Sequence, residues 1–193
     1  MINYSSQVQS SRPAPAGRYI THGAISDQYT AKTVTAPADG VVQVLVVHVA
    51  TVRCGFVLDD VIEVLPAISI AALPGAPDVI GGVIDLRGAL VPVLDLRRRL
   101  GLPSRAPDLN DHVVVCDVGP RRVGIWVDRA EDVLTVARRD LVPMDGVAQA
   151  KYLPGVTRRD DGLMLVYDVR SFLAADEALR LHTAVSTAQR GRP

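Results

Sequence analysis

Aromatic side chains make up only 4% of this 193-residue sequence, with a single tryptophan, Trp126. A reader of single-stranded nucleic acid stacks bases on aromatic platforms beside basic side chains, so the scarcity argues against that class. Net charge is lacking too. The 21 Lys and Arg balance the 21 Asp and Glu, and no overall field steers the chain to a polyanion or an anionic bilayer. Cysteine is limited to Cys54 and Cys116, each inside an apolar run. Buried free thiols in a reducing compartment are expected, and no C-x-x-C or H-x-x-x-H spacing offers a metal site. The longest apolar run begins at Val41 and is broken by Gln43 and His48 before it ends near Val52, too short for a membrane helix. The N-terminus has no basic start with a continuous apolar core, so a soluble, cytosolic protein without membrane insertion is expected. Phosphate loops of the G-x-x-x-x-G-K-[ST] and G-x-G-x-x-G types are missing, which removes the usual routes to nucleotide chemistry.

What the sequence does have is a repeat. Gly155-Val156, Leu163, Val166, Asp168, Arg170 and Leu173 reproduce Gly82-Val83, Leu90, Val93, Asp95, Arg97 and Leu100 at a constant spacing of 73 residues. A second block, from Cys54-Gly55-Phe56-Val57-Leu58-Asp59 to Val64-Leu65, matches Val123-Gly124-Ile125-Trp126-Val127-Asp128 to Val133-Leu134 at a spacing of 69. Two blocks in the same order at nearly the same spacing indicate tandem copies of one β-rich unit. A unit of about 70 residues is near the lower limit for a self-sufficient core, so the copies are expected to share a buried interface.

Runs of β-branched residues predict strands over 41–49, 52–58, 83–86, 90–94, 113–118, 123–127 and 163–169. Turn signals separate them at Ala50-Thr51, Arg87-Gly88, Gly119-Pro120 and Asp160-Asp161-Gly162. Helical signals are short. Residues 59–65 and their copy 128–134 each begin with Asp at an N-cap position and carry apolar residues at helical spacing. Single turns are expected over 95–100 and 168–173, and a closing helix over 172–185 with a frayed end beyond Ser186. Pro92 inside an otherwise good strand predicts an edge position or a bulge, because proline cannot donate to a central ladder. Many short strands with few helices point to small closed barrels. Residues 1–39, rich in Ser, Thr, Ala, Pro and Gln, are expected to form a flexible arm.

No catalytic constellation emerges. A nucleophilic enzyme needs a nucleophile, a base within reach and an orienting group. His22 and His182 fall in segments expected to be mobile or terminal, while His48 and His112 interrupt or flank strands. Asp59, Asp85, Asp95, Asp128 and Asp168 recur at matched points of the two copies, which suits caps and turns better than acid–base work. The arginine runs Arg97-Arg98-Arg99, Arg121-Arg122, Arg138-Arg139 and Arg158-Arg159 read as solvated surface. The competing readings are a small-barrel nucleic-acid binder that uses these arginines and a hydrolase that uses the strand-end carboxylates.

Three ordered segments carry a family resemblance. They are Val57-Leu58-Asp59-Asp60-Val61-Ile62-Glu63-Val64, Ala76 to Gly88 with Gly81-Gly82-Val83-Ile84-Asp85-Leu86-Arg87-Gly88, and Val91-Pro92-Val93-Leu94-Asp95-Leu96-Arg97. Together with Val123 to Asp128 and the run from Leu163, they resemble the CheW-like domain of bacterial chemosensory arrays over about residues 41–175. The resemblance implies an all-β fold with short helices, two tandem SH3-like five-stranded β-barrels sharing a hydrophobic core. On this basis the CheW-like domain should span 40–176, with subdomains of about 40–108 and 109–176, and 177–193 should form the C-terminal helix and frayed tail. It further implies a non-enzymatic, cofactor-free adaptor, recruited to membrane-associated receptor arrays, that couples the cytoplasmic tips of methyl-accepting chemoreceptors to the regulatory domain of the histidine kinase CheA. Receptor contact is implied at Val61, Glu63, Gly82, Asp85, Leu86, Arg87 and Gly88, and no kinase-binding residue is singled out. Asp85 stands where the family commonly has Asn, replacing an amide donor with an acceptor-only carboxylate.

Overall fold

Successive side chains of a strand point to opposite faces, and in β1 (Val41–Val49) both faces are apolar. Val44 and Val46 point into one cluster, while Leu45, Val47 and Val49 point into another. A strand buried on both sides must lie between two layers, and the sequence copies this arrangement. Val113 and Val115 of β6 (His112–Val118) enter a third cluster, with Val114 and Cys116 facing the same central core as Leu45 and Val47.

The computed structural model describes residues 40–66, 69–118, 121–143, 155–159 and 162–190. The arm expected over 1–39 lies outside them, as do Gly119-Pro120 and Asp160-Asp161. The other strands are β2 (Val52–Val57), β3 (Val61–Pro66), β4 (Ile80–Leu86), β5 (Ala89–Asp95), β7 (Arg121–Val127), β8 (Arg129–Ala137), β9 (Gly155–Arg159) and β10 (Gly162–Tyr167). They form two five-stranded sheets, ordered β8-β1-β2-β10-β9 and β3-β6-β7-β5-β4. These are the two SH3-like barrels. Helix α1 (Leu96–Arg99) follows β5, and α2 (Ala175–Arg190) closes the described chain.

The repeat is preserved to the residue. Val166 pairs in parallel with Gly55 and Tyr167 with Phe56, just as Val93 pairs with Gly124 and Leu94 with Ile125. Val44 pairs with Leu134, as Val113 pairs with Leu65. The copies nevertheless exchange strands. Each sheet takes two strands from one copy and three from the other, so a boundary near 108/109 does not divide the barrels. The central cluster joins them through Leu45, Phe56, Leu94, Val114, Ile125 and Phe172.

Residues 59–65 and 128–134 are not helical. A 3-10 turn over Leu58–Asp60 leads into β3, and 129–134 belong to β8. The apolar spacing fits a helix, but Val61, Glu63, Val64 and Leu65 meet ladder partners in β6, with Ile62 at a bulge between them, and β8 meets β1. Tertiary pairing overrides so short a local signal. β9 carries only five residues, and its β-branched pair Val156-Thr157 is too short a run to signal a strand. Pro92 lies in β5, between β7 and β4, rather than on an edge. The β7 ladder begins only at Val93, which leaves the proline where one side of the strand is unpaired. The helix expected to fray beyond Ser186 continues to Arg190.

One close approach requires glycine, and its copy is tight. A Cβ on Gly82 would lie 2.2 Å from the Ala71 carbonyl oxygen, because Ala71 and Val83 exchange two backbone hydrogen bonds of 2.8 and 2.9 Å across it. The copy repeats the device, with Val142 bridged to Val156 beside Gly155. Gly82→Ala should therefore cost about 2 kcal/mol or more in urea unfolding, as expected for a backbone clash. Gly88→Ala meets no atom of the described residues within 4 Å and should cost only about 1 kcal/mol for its positive φ. Equal costs would show that the Ala71 segment does not close on β4.

Candidate functional site

The β4–β5 hairpin turns at Arg87-Gly88. Leu86 pairs with Ala89, and both intervening residues have positive φ, 53° and 88°, the signature of a two-residue type I′ turn. The Gly88 N–H donates to Asp85 Oδ1 at 2.7 Å, so the carboxylate at position 85 locks the turn. At the tip, Arg87 Nη2 donates to Glu63 Oε2 at 3.1 Å. Glu63 lies on β3 and Arg87 follows β4, the two outer strands of the second sheet, so this ion pair spans the edges that barrel closure brings together.

The pair is lopsided. The Arg87 side chain is 76% exposed and the Glu63 side chain 11%. Glu63 Oε1 is buried and accepts no hydrogen bond from the described residues. A pair with one solvated partner contributes at most about 1 kcal/mol to stability. Asp85 and Gly88 are exposed. Val61 is half-buried against the central core and Leu86 against the core of the second barrel. Gly82 is buried, and the backbone that approaches it is the chain's own Ala71. The repeat places Asp132 and Asp160 at the positions matched to Glu63 and Arg87, so by charge alone the pair belongs to the second barrel.

A second cluster was not legible in the sequence. At the crossover between β7 and β8, Asp128 accepts from three different elements. Its donors are the Ala50 N–H of the β1–β2 turn at 2.6 Å, Arg97 of α1 at 3.2 and 2.5 Å, and Arg105 at 2.7 Å. Arg105 also donates to Asp111 at 2.9 Å and through a second, shorter contact, and its guanidinium lies 5.8 Å from the Trp126 ring centroid. The Trp126 indole N–H donates to Asp111 at 2.9 Å. Burial alone would raise the Asp111 pKa. The hydrogen bonds from Arg105, from the Asp108 backbone N–H and from Trp126 outweigh it, and the carboxyl is held below its ordinary range.

Arg97 and Arg99, expected to be solvated, are 11% and 9% exposed and pair with Asp128 and Glu177. This correction takes two arginines out of any basic stripe. The constant match of Arg97 to Arg170 in the repeat was the available signal, because a residue needed only for solubility has no reason to recur. Both thiols are buried, with Cys54 pushed up to about 12 and Cys116 also raised by loss of water, so neither is a nucleophile at neutral pH. Among the described residues, no three His, Cys, Asp or Glu side chains are grouped to hold a metal, and no helix is long and apolar enough to cross a membrane.

Residues 43–177 match the family model of the CheW-like domain. The chain is 32% identical over 108 residues to the chemotaxis protein CheW of Rhizobium meliloti, covering 54% of this chain and 70% of that protein. It is 32% identical over 111 residues to the chemotaxis protein CheW of Klebsiella aerogenes, covering 56% and 67%. Among solved structures, the scaffolding protein TtCheW of Thermoanaerobacter tengcongensis has the same fold, with a TM-score of 0.65 and 24% identity over 70% of this chain and 94% of that one. None of these similarities supports a nucleic-acid binder.

Asp111 is 3% exposed, and Asp111→Asn should destabilise the protein by about 2–3 kcal/mol, below the full cost of breaking a buried pair because Arg105 remains partly solvated. A depressed carboxyl stabilises the fold above the unfolded value of about 3.9 and loses that contribution as the pH falls through its folded value. The gap between the native protein and Asp111→Asn should therefore narrow below about pH 4 in chemical denaturation. A gap independent of pH would show that Asp111 contributes through packing alone.

Proposed function

Because the chain belongs to the CheW-like domain family, we propose that it is a non-enzymatic adaptor that couples chemoreceptors to the histidine kinase CheA, in the cytoplasm at membrane-associated receptor arrays. The receptor's cytoplasmic tip docks at the mouth of the second barrel, and the kinase engages through its regulatory domain. The observation that carries the reading is the Glu63–Arg87 pair, where an exposed guanidinium with donors facing water stands beside a buried carboxylate oxygen that finds no donor among the described residues. A protein surface that presents both carboxylates and cationic or amide donors can engage such a pair.

In this arrangement Arg87 and Glu63 carry recognition. Leu86 anchors the hairpin in the core of the second barrel and Val61 anchors β3 in the central core, and Asp85 and Gly88 hold the turn that aims the guanidinium. Gly82 acts indirectly, by letting the Ala71 segment close on β4 so that the hairpin is rigid. Asp85 in place of a donor amide selects for a partner that presents a donor at that point.

The test separates recognition from folding. Arg87→Ala should change stability by only about 0.5 kcal/mol, the range for exposed sites. Loss of an interfacial charged anchor costs about 2 kcal/mol or more, so binding to receptor-containing vesicles should weaken at least tenfold. Receptor-dependent change in CheA autophosphorylation should fall with it. A lowered melting temperature with normal receptor binding would assign the pair to barrel closure alone.

A further inference from the structure

The internal symmetry allows each feature of one barrel to be compared with its copy, and at one place the copies differ. In the second barrel, the mouth beside the β7–β8 crossover is filled. Trp126 plugs it, and the Arg105 guanidinium lies over the ring, held by Asp111 and Asp128. The matched residues of the first barrel are Val57 for Trp126, Val42 for Asp111 and Asp59 for Asp128. Replacing an indole with an isopropyl group leaves space, and a cavity of about 390 Å³ opens there. Val42, Val57 and Leu141 form its apolar wall, and Asp59, Asp60 and Asp168 stand around it.

The electrostatics of this cavity are incomplete. Arg170 is the cation within it, and it is engaged by Asp168 at 3.0 Å, with its Nε 3.4 Å from Asp60 Oδ2. Arg138 adds a second positive charge at the rim, where it is exposed, so among the described residues three carboxylates face two guanidinium groups. Asp60 Oδ2 is buried and accepts no hydrogen bond from the described residues. Burial raises the Asp60 pKa despite the nearby arginine, which marks a carboxylate whose charge is under-compensated.

We propose that this cavity receives an arginine side chain presented by a partner protein, its aliphatic stem against Val42, Val57 and Leu141 and its guanidinium at Asp59 and Asp60. The same position in the second barrel already holds an arginine on the copy of Asp59, so the fold accommodates a guanidinium there. The difference is that Arg105 is supplied by the chain itself. Arginine is the cation that fits, because a planar fork can bridge two carboxylates and its stem covers apolar surface. The proposal goes beyond the adaptor reading and does not depend on it.

The probe is the peptide acetyl-Gly-Arg-Gly-amide, titrated into the full-length chain and followed by backbone amide NMR, with the neutral citrulline peptide as control. Shifts should concentrate at Val42, Val57, Asp59 and Asp60, and binding of the citrulline peptide should be at least tenfold weaker. Val57→Trp should abolish the shifts by filling the cavity as Trp126 fills its copy. Should that variant fail to fold, Asp59→Asn, at an exposed residue, should weaken binding by a similar factor with an unchanged melting temperature. Equal response to the two peptides, shifts spread over the surface, or no shift at these residues would overturn the proposal. Shifts that appear only after removal of residues 1–39 would also overturn it, because the chain's own N-terminal segment would then be the occupant. Neither receptor nor kinase is present, so failure here is separable from failure of the adaptor reading.

Discussion

Burial of β1 and β6 on both faces is the constraint on which the rest of this structure depends. Leu45 and Val47 face the central core while Val44 and Val46 face the first barrel, and Val114 and Cys116 share that central core while Val113 and Val115 fill the second. Each fully buried side chain of this kind contributes about 1.5–3 kcal/mol. Neither barrel can therefore separate from the other without exposing strands that have no polar face. The exchange of strands between the copies reinforces this, since unfolding one sheet removes strands from both halves of the repeat.

Where the chain crosses from one sheet to the other, two acidic positions matched by the repeat have diverged. Asp128 became a junction, tying the β1–β2 turn, α1 and the Arg105 segment together in a partly dry environment where charge-assisted hydrogen bonds are strong. Asp59 stayed exposed beside a cavity. The same divergence separates the barrel mouths, where an ion pair between Glu63 and Arg87 has two acidic counterparts in the sequence. Duplication supplied a symmetric frame, and substitutions at a few matched positions made its two ends chemically different.

At the hairpin tip, one set of contacts serves stability and exposure together. Asp85 and Gly88 fix a turn whose positive φ values leave the Arg87 side chain pointing outward, and Gly82 permits the Ala71 segment to brace the strand behind it. The guanidinium is held to Glu63 by one hydrogen bond and otherwise meets water. Preorganisation of this kind lowers the entropy lost on docking.

The repeat, the β character, the buried thiols and the Arg87-Gly88 turn were all determined by the sequence itself. They rest on local chemistry, on period-two alternation, on glycine's freedom at positive φ and on spacing that recurs at 69 and 73 residues. The strand identity of β3 and β8 was decided only by the tertiary structure, because a short apolar run at helical spacing becomes a strand when a ladder partner waits in β6 or β1. The exchange of strands between copies was likewise decided there, since a repeat reports similarity between segments and not which segments pair. The burial of Arg97 and Arg99 and the meeting of Arg105, Asp111, Trp126 and Asp128 depended on it too. Those side chains come from separate elements, and the energy that draws charged groups out of water exists only once their partners have been brought within hydrogen-bond distance.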